Sequence, residues 1–266
     1  MSDWDEVIQE ISQNNVPGIR LDAVDSDLEQ LRRLEKLRSL NLMGSKITDA
    51  GLKYIVSMSQ LEQLDLMYTP ITDAGLEYIK SMTSLKNLNL YATKITDIGM
   101  DHIKNMTNLQ SLICGNTTQI TDVGLENLKG MSRLKQLNLM NTPITDLGIE
   151  HINGLSGLQI LVLNNTNITD AGLENLKRMT GMQNLELANT KITDAGIEKL
   201  KGMTELKSLT LMNTPITDTG LQNIQGLNGL QNLLLGNTKV TDRGMEYLKN
   251  MNGLQILVLT KKAPLL

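Results

Sequence analysis

The chain has 266 residues, a formal net charge of −4 and one cysteine; 40% of its residues are hydrophobic and 20% charged, but only 2% are aromatic and none is Phe. This composition can bury a core of Leu, Ile and Met, and it excludes a disordered chain, a disulfide framework and a Cys-based metal site; without a basic block, nucleic acid is not the expected partner. No apolar stretch reaches membrane-spanning length, and the acidic start Met1-Ser2-Asp3-Trp4-Asp5-Glu6 has no apolar run behind it. The expectation is a soluble, cytoplasmic protein without a cleaved leader, with export by a leader-independent route left open.

In chain order, the first predicted element is a helix from Asp3 to Gln13 with Trp4, Val7, Ile8 and Ile11 apolar. Pro17-Gly18 ends it. Ile19-Arg20-Leu21 reads as a degenerate first strand, followed by a helix over Leu28, Leu31 and Leu34. Residues 1–36 are thus expected to form a cap, which a stacked array needs because its first unit would otherwise expose an apolar face.

From residue 37 the chain repeats. Ile-Thr-Asp starts at Ile47, Ile71, Ile95, Ile120, Ile144, Ile168, Ile192 and Ile216, and Val240 begins a ninth copy. The spacing is 24 residues except for one step of 25, whose extra residue lies within Gly115-Asn116-Thr117-Thr118-Gln119. A second phrase, Leu-x-x-Leu-x-Leu, begins at Leu37, Leu61, Leu85, Leu109, Leu134, Leu158, Met182, Leu206, Leu230 and Leu254. Cys114 fills a Leu position and reads as a small buried hydrophobe.

The alternation in Leu64-Asp65-Leu66 marks a strand with one buried face. After Ile-Thr-Asp the spacing turns helical, with Leu76, Ile79 and Met82 on one stripe. Asp73, or Thr72 before it, can cap the first turn of that helix. Each unit is therefore a short strand, a turn and a short helix. One unit cannot bury its own apolar face, but stacked units can. The predicted fold is a right-handed α/β solenoid over residues 37–259, with a curved parallel sheet on the concave side, short helices on the convex side, and a tail at 260–266. The outward strand positions Ser39, Asn41, Gln63, Asp65, Asn87, Asn89, Gln136 and Asn138 are polar, so the concave face is expected to be open to water.

These motifs resemble the leucine-rich-repeat family, in the subclass with Leu-x-x-Leu-x-Leu-x-x-Thr-x-Ile-Thr-Asp-x-Gly-Leu found in bacterial repeat proteins and in the repeats of F-box receptors. The resemblance implies a leucine-rich-repeat solenoid and a non-catalytic protein-binding scaffold, such as a bacterial effector or cytoplasmic adaptor. It also allows a substrate receptor of a ubiquitin ligase, or a structural or engineered spacer. F-box-type repeats carry Cys where this chain has Thr69, Thr93 and Thr142, and no F-box stands in the first forty residues.

No catalytic constellation and no glycine-rich phosphate loop is assembled, so neither an enzyme nor a cofactor is expected. The Asp residues of the Thr-Asp pairs read as helix caps rather than a cation ladder. His102 and His151 read as exposed helix residues two repeats apart, too far to share a metal. Glu77/Lys80 and its repeats describe a self-neutralised convex face. The concave face differs. Met67, Tyr68, Tyr91 and Met140, with Ile113 and Val162 beside Asn89, Asn138 and Asn164, have the composition of a contact surface. The Asn column from Asn116 to Asn237 divides between a hydrogen-bonded ladder and contact roles. The expected partner is a protein or peptide on the concave face, with no membrane and a monomer in dilute solution; Lys261, Lys262 and Pro264 are expected to blunt the last strand, Leu254 to Leu259.

Overall fold

A computed structural model describes residues 3–259. One open sheet of eleven parallel strands runs through it in chain order. The strands are β1 (Gly18–Arg20), β2 (Ser39–Asn41), β3 (Gln63–Asp65), β4 (Asn87–Asn89), β5 (Ser111–Ile113), β6 (Gln136–Asn138), β7 (Ile160–Val162), β8 (Asn184–Glu186), β9 (Ser208–Thr210), β10 (Asn232–Leu234) and β11 (Ile256–Val258). Each has three residues, so the last strand is shorter than its repeat phrase, and the three blunting residues lie outside the described region. The register aligns every central Leu, as in Leu40↔Leu64 and Leu64↔Leu88. This is how the leucine columns become one continuous core: Leu64, Leu88, Leu112 and their equivalents are at most 2% exposed as far as Leu233.

Short helices return each coil along the convex side, among them α4 (Asp73–Ile79), α5 (Asp97–Ile103) and α7 (Asp146–Ile152), numbered with the cap helices α1 (Asp3–Gln13) and α2 (Asp25–Leu31) and with α3 (Asp49–Leu52) and α6 (Asp122–Leu125). Their stripe residues, such as Leu76, Ile79 and Met82, enter the same core. The cap is continuous with the repeats, since β1 pairs with β2 through Gly18↔Ser39 and Arg20↔Asn41.

The Ile-Thr-Asp motif caps its helix through the threonine, one of the two candidates expected from the sequence. Thr72 is the N-cap of α4, its hydroxyl accepting from the Ala74 N–H. Asp73 instead reaches the next coil: Oδ1 accepts the Thr96 N–H at 2.8 Å and Oδ2 accepts the Thr96 hydroxyl at 2.7 Å. The same pair of bonds recurs from Asp25 with Thr48 to Asp218 with Thr241. Each aspartate therefore joins two coils, and its charge sits at the start of the following helix, where the backbone dipoles favour an anion. The glycine two residues after each aspartate makes room for the carboxylate that reaches over from the preceding coil: a Cβ on Gly148 would lie 2.4 Å from Asp122 Oδ1.

The turn out of each strand is equally regular. A buried threonine donates its hydroxyl back to the carbonyl three residues earlier, as Thr69 does to Leu66 at 2.6 Å. Thr117 makes the same bond to Cys114, so the residue that lengthens this coil to 25 falls after Thr117, in Thr118-Gln119. β5 and β6 keep register across it, with Leu112 opposite Leu137. The residue before each threonine is left-handed: Asn116, Asn141, Asn165, Asn189, Asn213 and Asn237 all have φ between 56° and 60°. Asn tolerates that region better than other side-chain-bearing residues. Backbone conformation is thus one reason for the Asn column, and one side-chain ladder bond is seen within it, Asn237 Nδ2 to Asn213 Oδ1 at 2.8 Å.

Candidate functional site

Two neighbouring coils carry something other than Asn at the left-handed position, Tyr68 (φ 58°) and Ala92 (φ 54°). A bulky aromatic side chain is a poor occupant of this region, at a cost of about 1–2 kcal/mol. Tyr68 is nevertheless 55% exposed. Its ring meets Tyr91 edge-to-face, with centroids 5.6 Å apart and planes at 85°.

Tyr91 leads on to Met140. Gly115 lies between them, and a Cβ there would be 3.0 Å from Tyr91 Cδ2 and 2.9 Å from Met140 Cγ. The missing side chain lets the two residues close over the backbone, so Tyr68, Tyr91 and Met140 form one patch. Met67 and Met43, both half-buried, continue the same column.

Beside the patch lies the polar floor of β2 to β5, with Ser39, Gln63, Asn87 and Ser111 around a shallow hollow of about 220 Å³ that also reaches Ile113. Some of the expected contact residues are already engaged within the chain. Asn89 Oδ1 accepts the Tyr91 N–H at 3.1 Å, and Asn138 Oδ1 accepts the Met140 N–H at 3.0 Å. Asn164 accepts the Ala188 N–H at 2.7 Å and donates to Glu186 at 2.6 Å. These amides position the turns that carry the patch. Ile113 is half-buried and Val162 is only 6% exposed, so Val162 adds little surface. The strand positions that face the concavity carry few charges: Arg20, Asp65 and Glu186.

The other chemistry-bearing groups have structural settings. Burial pushes the Cys114 thiol up to about 12, which keeps it protonated and unreactive at neutral pH. His102 is half-buried rather than exposed, with Nδ1 2.9 Å from Glu77 Oε2, and His151 is half-buried as well. No group of three metal-ligating side chains is found among the described residues. The convex Glu/Lys pairs form, at 2.5 Å for Glu77–Lys80 and 3.0 Å for Glu126–Lys129, and Asp101–Lys104 joins them at 2.7 Å. The neighbouring ammonium groups hold Glu77, Asp101 and Glu126 below the usual carboxylate range.

Sequence reading missed Gly115 and Glu186. For Gly115 a signal existed: it stands where neighbouring coils have Tyr and Met. Glu186 gave less signal, because its column mixes Asn41, Asp65, Ile113, Val162 and Thr210.

The comparisons with known proteins agree with this architecture. A family described as Leucine Rich repeats (2 copies) matches residues 107–155, and one described as Leucine Rich repeat matches residues 33–56, 58–80 and 157–177. The chain is a leucine-rich-repeat protein. Among solved structures it is similar to an internalin (inlF) from Listeria monocytogenes, with 24% identity, a TM-score of 0.63, and coverage of 88% of this chain and 77% of that one. It is also similar to internalin C2 (inlC2) from the same organism, at 24% identity and a TM-score of 0.55, covering 89% of this chain and 84% of that one. A plant peptide hormone receptor, RGFR1, in complex with RGF2, matches at 17% identity and a TM-score of 0.57, covering 89% of this chain and 42% of that one. No curated protein sequence gives a significant match. No helix among the described residues is long and apolar enough to cross a membrane.

Proposed function

We propose that this solenoid is a non-catalytic protein-binding module whose concave face, centred on Tyr68 and Tyr91, docks a protein or peptide. The observation that carries the reading is Tyr68. A large aromatic ring is held out to solvent on a left-handed residue, where the other coils use Gly, Ala or Asn. Unfavourable backbone geometry of this kind persists where it serves a site. Tyrosine brings contact area at low entropic cost and is enriched in binding hot spots. The sparse charge around it suits a partner held by apolar contact and neutral hydrogen bonds. Leucine-rich-repeat scaffolds are typically protein-interaction modules, and one solved structure of similar fold is a receptor with its peptide hormone. A cytoplasmic adaptor or a bacterial effector is the role we assign, acting as a monomer.

A photo-crosslinking amino acid placed at Asn87, beside the patch, is expected to join the chain to a discrete partner in cells of its host. The same group at Glu126, on the convex side, is expected not to do so. Cross-linking from position 126 alone contradicts the assignment.

A further inference from the structure

Away from the tyrosine patch, a cleft of about 440 Å³ separates α1 from the first coils, within the size range of sites that hold compact ligands. Ile11, Val16 and Pro17 give it apolar walls, and Arg33, Lys36 and Arg38 line it as well. Glu35 is the one acidic residue in the lining, so the cleft carries three positive charges against one negative, in a chain whose net charge is −4.

The state of these cations matters more than their number. On the convex face most lysines are tied to a carboxylate in the same or the preceding helix. Arg33 is held in that way by Asp5 at 2.8 Å. Lys36 and Arg38 are exposed and form no ion pair among the described residues. Glu62, whose carboxyl feels the Arg38 charge, is bonded to Lys86 at 2.8 Å. Arg38 also borders a second hollow, on the concave side of β1 and β2. The two hollows therefore share one unpaired guanidinium, a group that binds carboxylates in bidentate fashion.

We propose that this cleft binds an acidic, partly aliphatic peptide segment, with carboxylates on Lys36 and Arg38 and aliphatic side chains against Ile11, Val16 and Pro17. This site is separate from the tyrosine patch and does not rest on it.

The probe is a fluorescein-labelled hexapeptide of alternating Glu and Leu, titrated with the full chain and followed by fluorescence anisotropy. Saturable binding is expected, weakening severalfold when salt rises from about 50 to about 300 mM. Arg38→Glu and Lys36→Glu should each lower affinity by about tenfold or more. Arg178→Glu, a matched charge reversal at an exposed position far along the stack, and Tyr91→Ala should leave it unchanged. Both cleft residues are exposed, so circular dichroism and the melting temperature of the variants should match the parent. Three results overturn the proposal: no saturation at millimolar protein, equal affinity for a Lys-Leu peptide, or no effect of the cleft reversals. Displacement by inorganic phosphate as effective as by unlabelled peptide would show a free-anion site and also overturn it.

Discussion

The two oxygens of a single aspartate connect neighbouring coils, and both of their bonds are charge-assisted. Asp146 accepts the Thr169 N–H at 2.8 Å and the Thr169 hydroxyl at 2.5 Å. A hydrogen bond to a charged group contributes about 1.5–3 kcal/mol, and this one is half-exposed. Asp146→Ala is therefore expected to lower stability by about 2 kcal/mol, more than the roughly 1 kcal/mol of an ordinary helix cap. The urea midpoint should fall with the slope unchanged. Asp218 adds a pH dependence. The Thr241 N–H is the largest influence holding its carboxyl below the usual range, with burial opposing it. A depressed folded-state value means stability that is complete above the unfolded value and lost as pH falls through the folded one. Asp218→Asn should thus lower the urea midpoint at pH 7, and the gap from the parent should close below about pH 4. A gap that stays constant to pH 2.5 contradicts the role given to this charge. The aspartates were legible in the sequence as a periodic feature at helix starts. Their reach into the next coil was not, because a spacing inside one repeat does not tell which repeat supplies the acceptor.

At the scale of the strand and its turn, period-two leucines identified the strands and their buried face. The left-handed residue at each turn was legible only as an Asn column, since Asn suits a ladder, a contact or positive φ equally well. Tyr68 exposes the difference. Replacing it by Asn relieves a backbone cost of about 1–2 kcal/mol and removes an edge-to-face contact with Tyr91 worth about 0.5–1.5 kcal/mol. The two effects offset, so Tyr68→Asn is expected to move the melting temperature by no more than about 2–4 °C while weakening partner binding. Differential scanning calorimetry checks the first half; a large fall in the melting temperature would show that the ring supports the fold rather than the site. The lengthened coil follows the same logic. Its extra residue falls in Thr118-Gln119, outside both the strand and the threonine bond, so the ladder continues in register.

Over the whole molecule, redundancy made the fold readable: ten copies of one leucine phrase leave few alternative ways to bury the same columns. The site was less readable because it lies where the pattern is broken, and single departures such as Tyr68 and Gly115 show only against their columns, not as a period. Three-dimensional stacking also engaged Asn89, Asn138 and Asn164 in turns that the linear pattern could not assign. The last described strand is the other whole-molecule feature. At β11 Leu257 is 38% and Leu259 45% exposed, where the preceding coils bury the equivalent leucines. The chain is still expected to be monomeric at micromolar concentration, because one short strand offers a small edge. Light scattering measures this directly, and a stable dimer at that concentration contradicts it. The most direct test of the central claim is calorimetric titration of the cross-linked partner, once identified, against Tyr91→Ala and Glu126→Ala. The tyrosine patch as the docking surface predicts a loss of about 1 kcal/mol or more, roughly fivefold in Kd, for Tyr91→Ala, with little salt dependence and no change for Glu126→Ala. Unchanged affinity for Tyr91→Ala with a loss for Glu126→Ala would place binding on the convex side and contradict it.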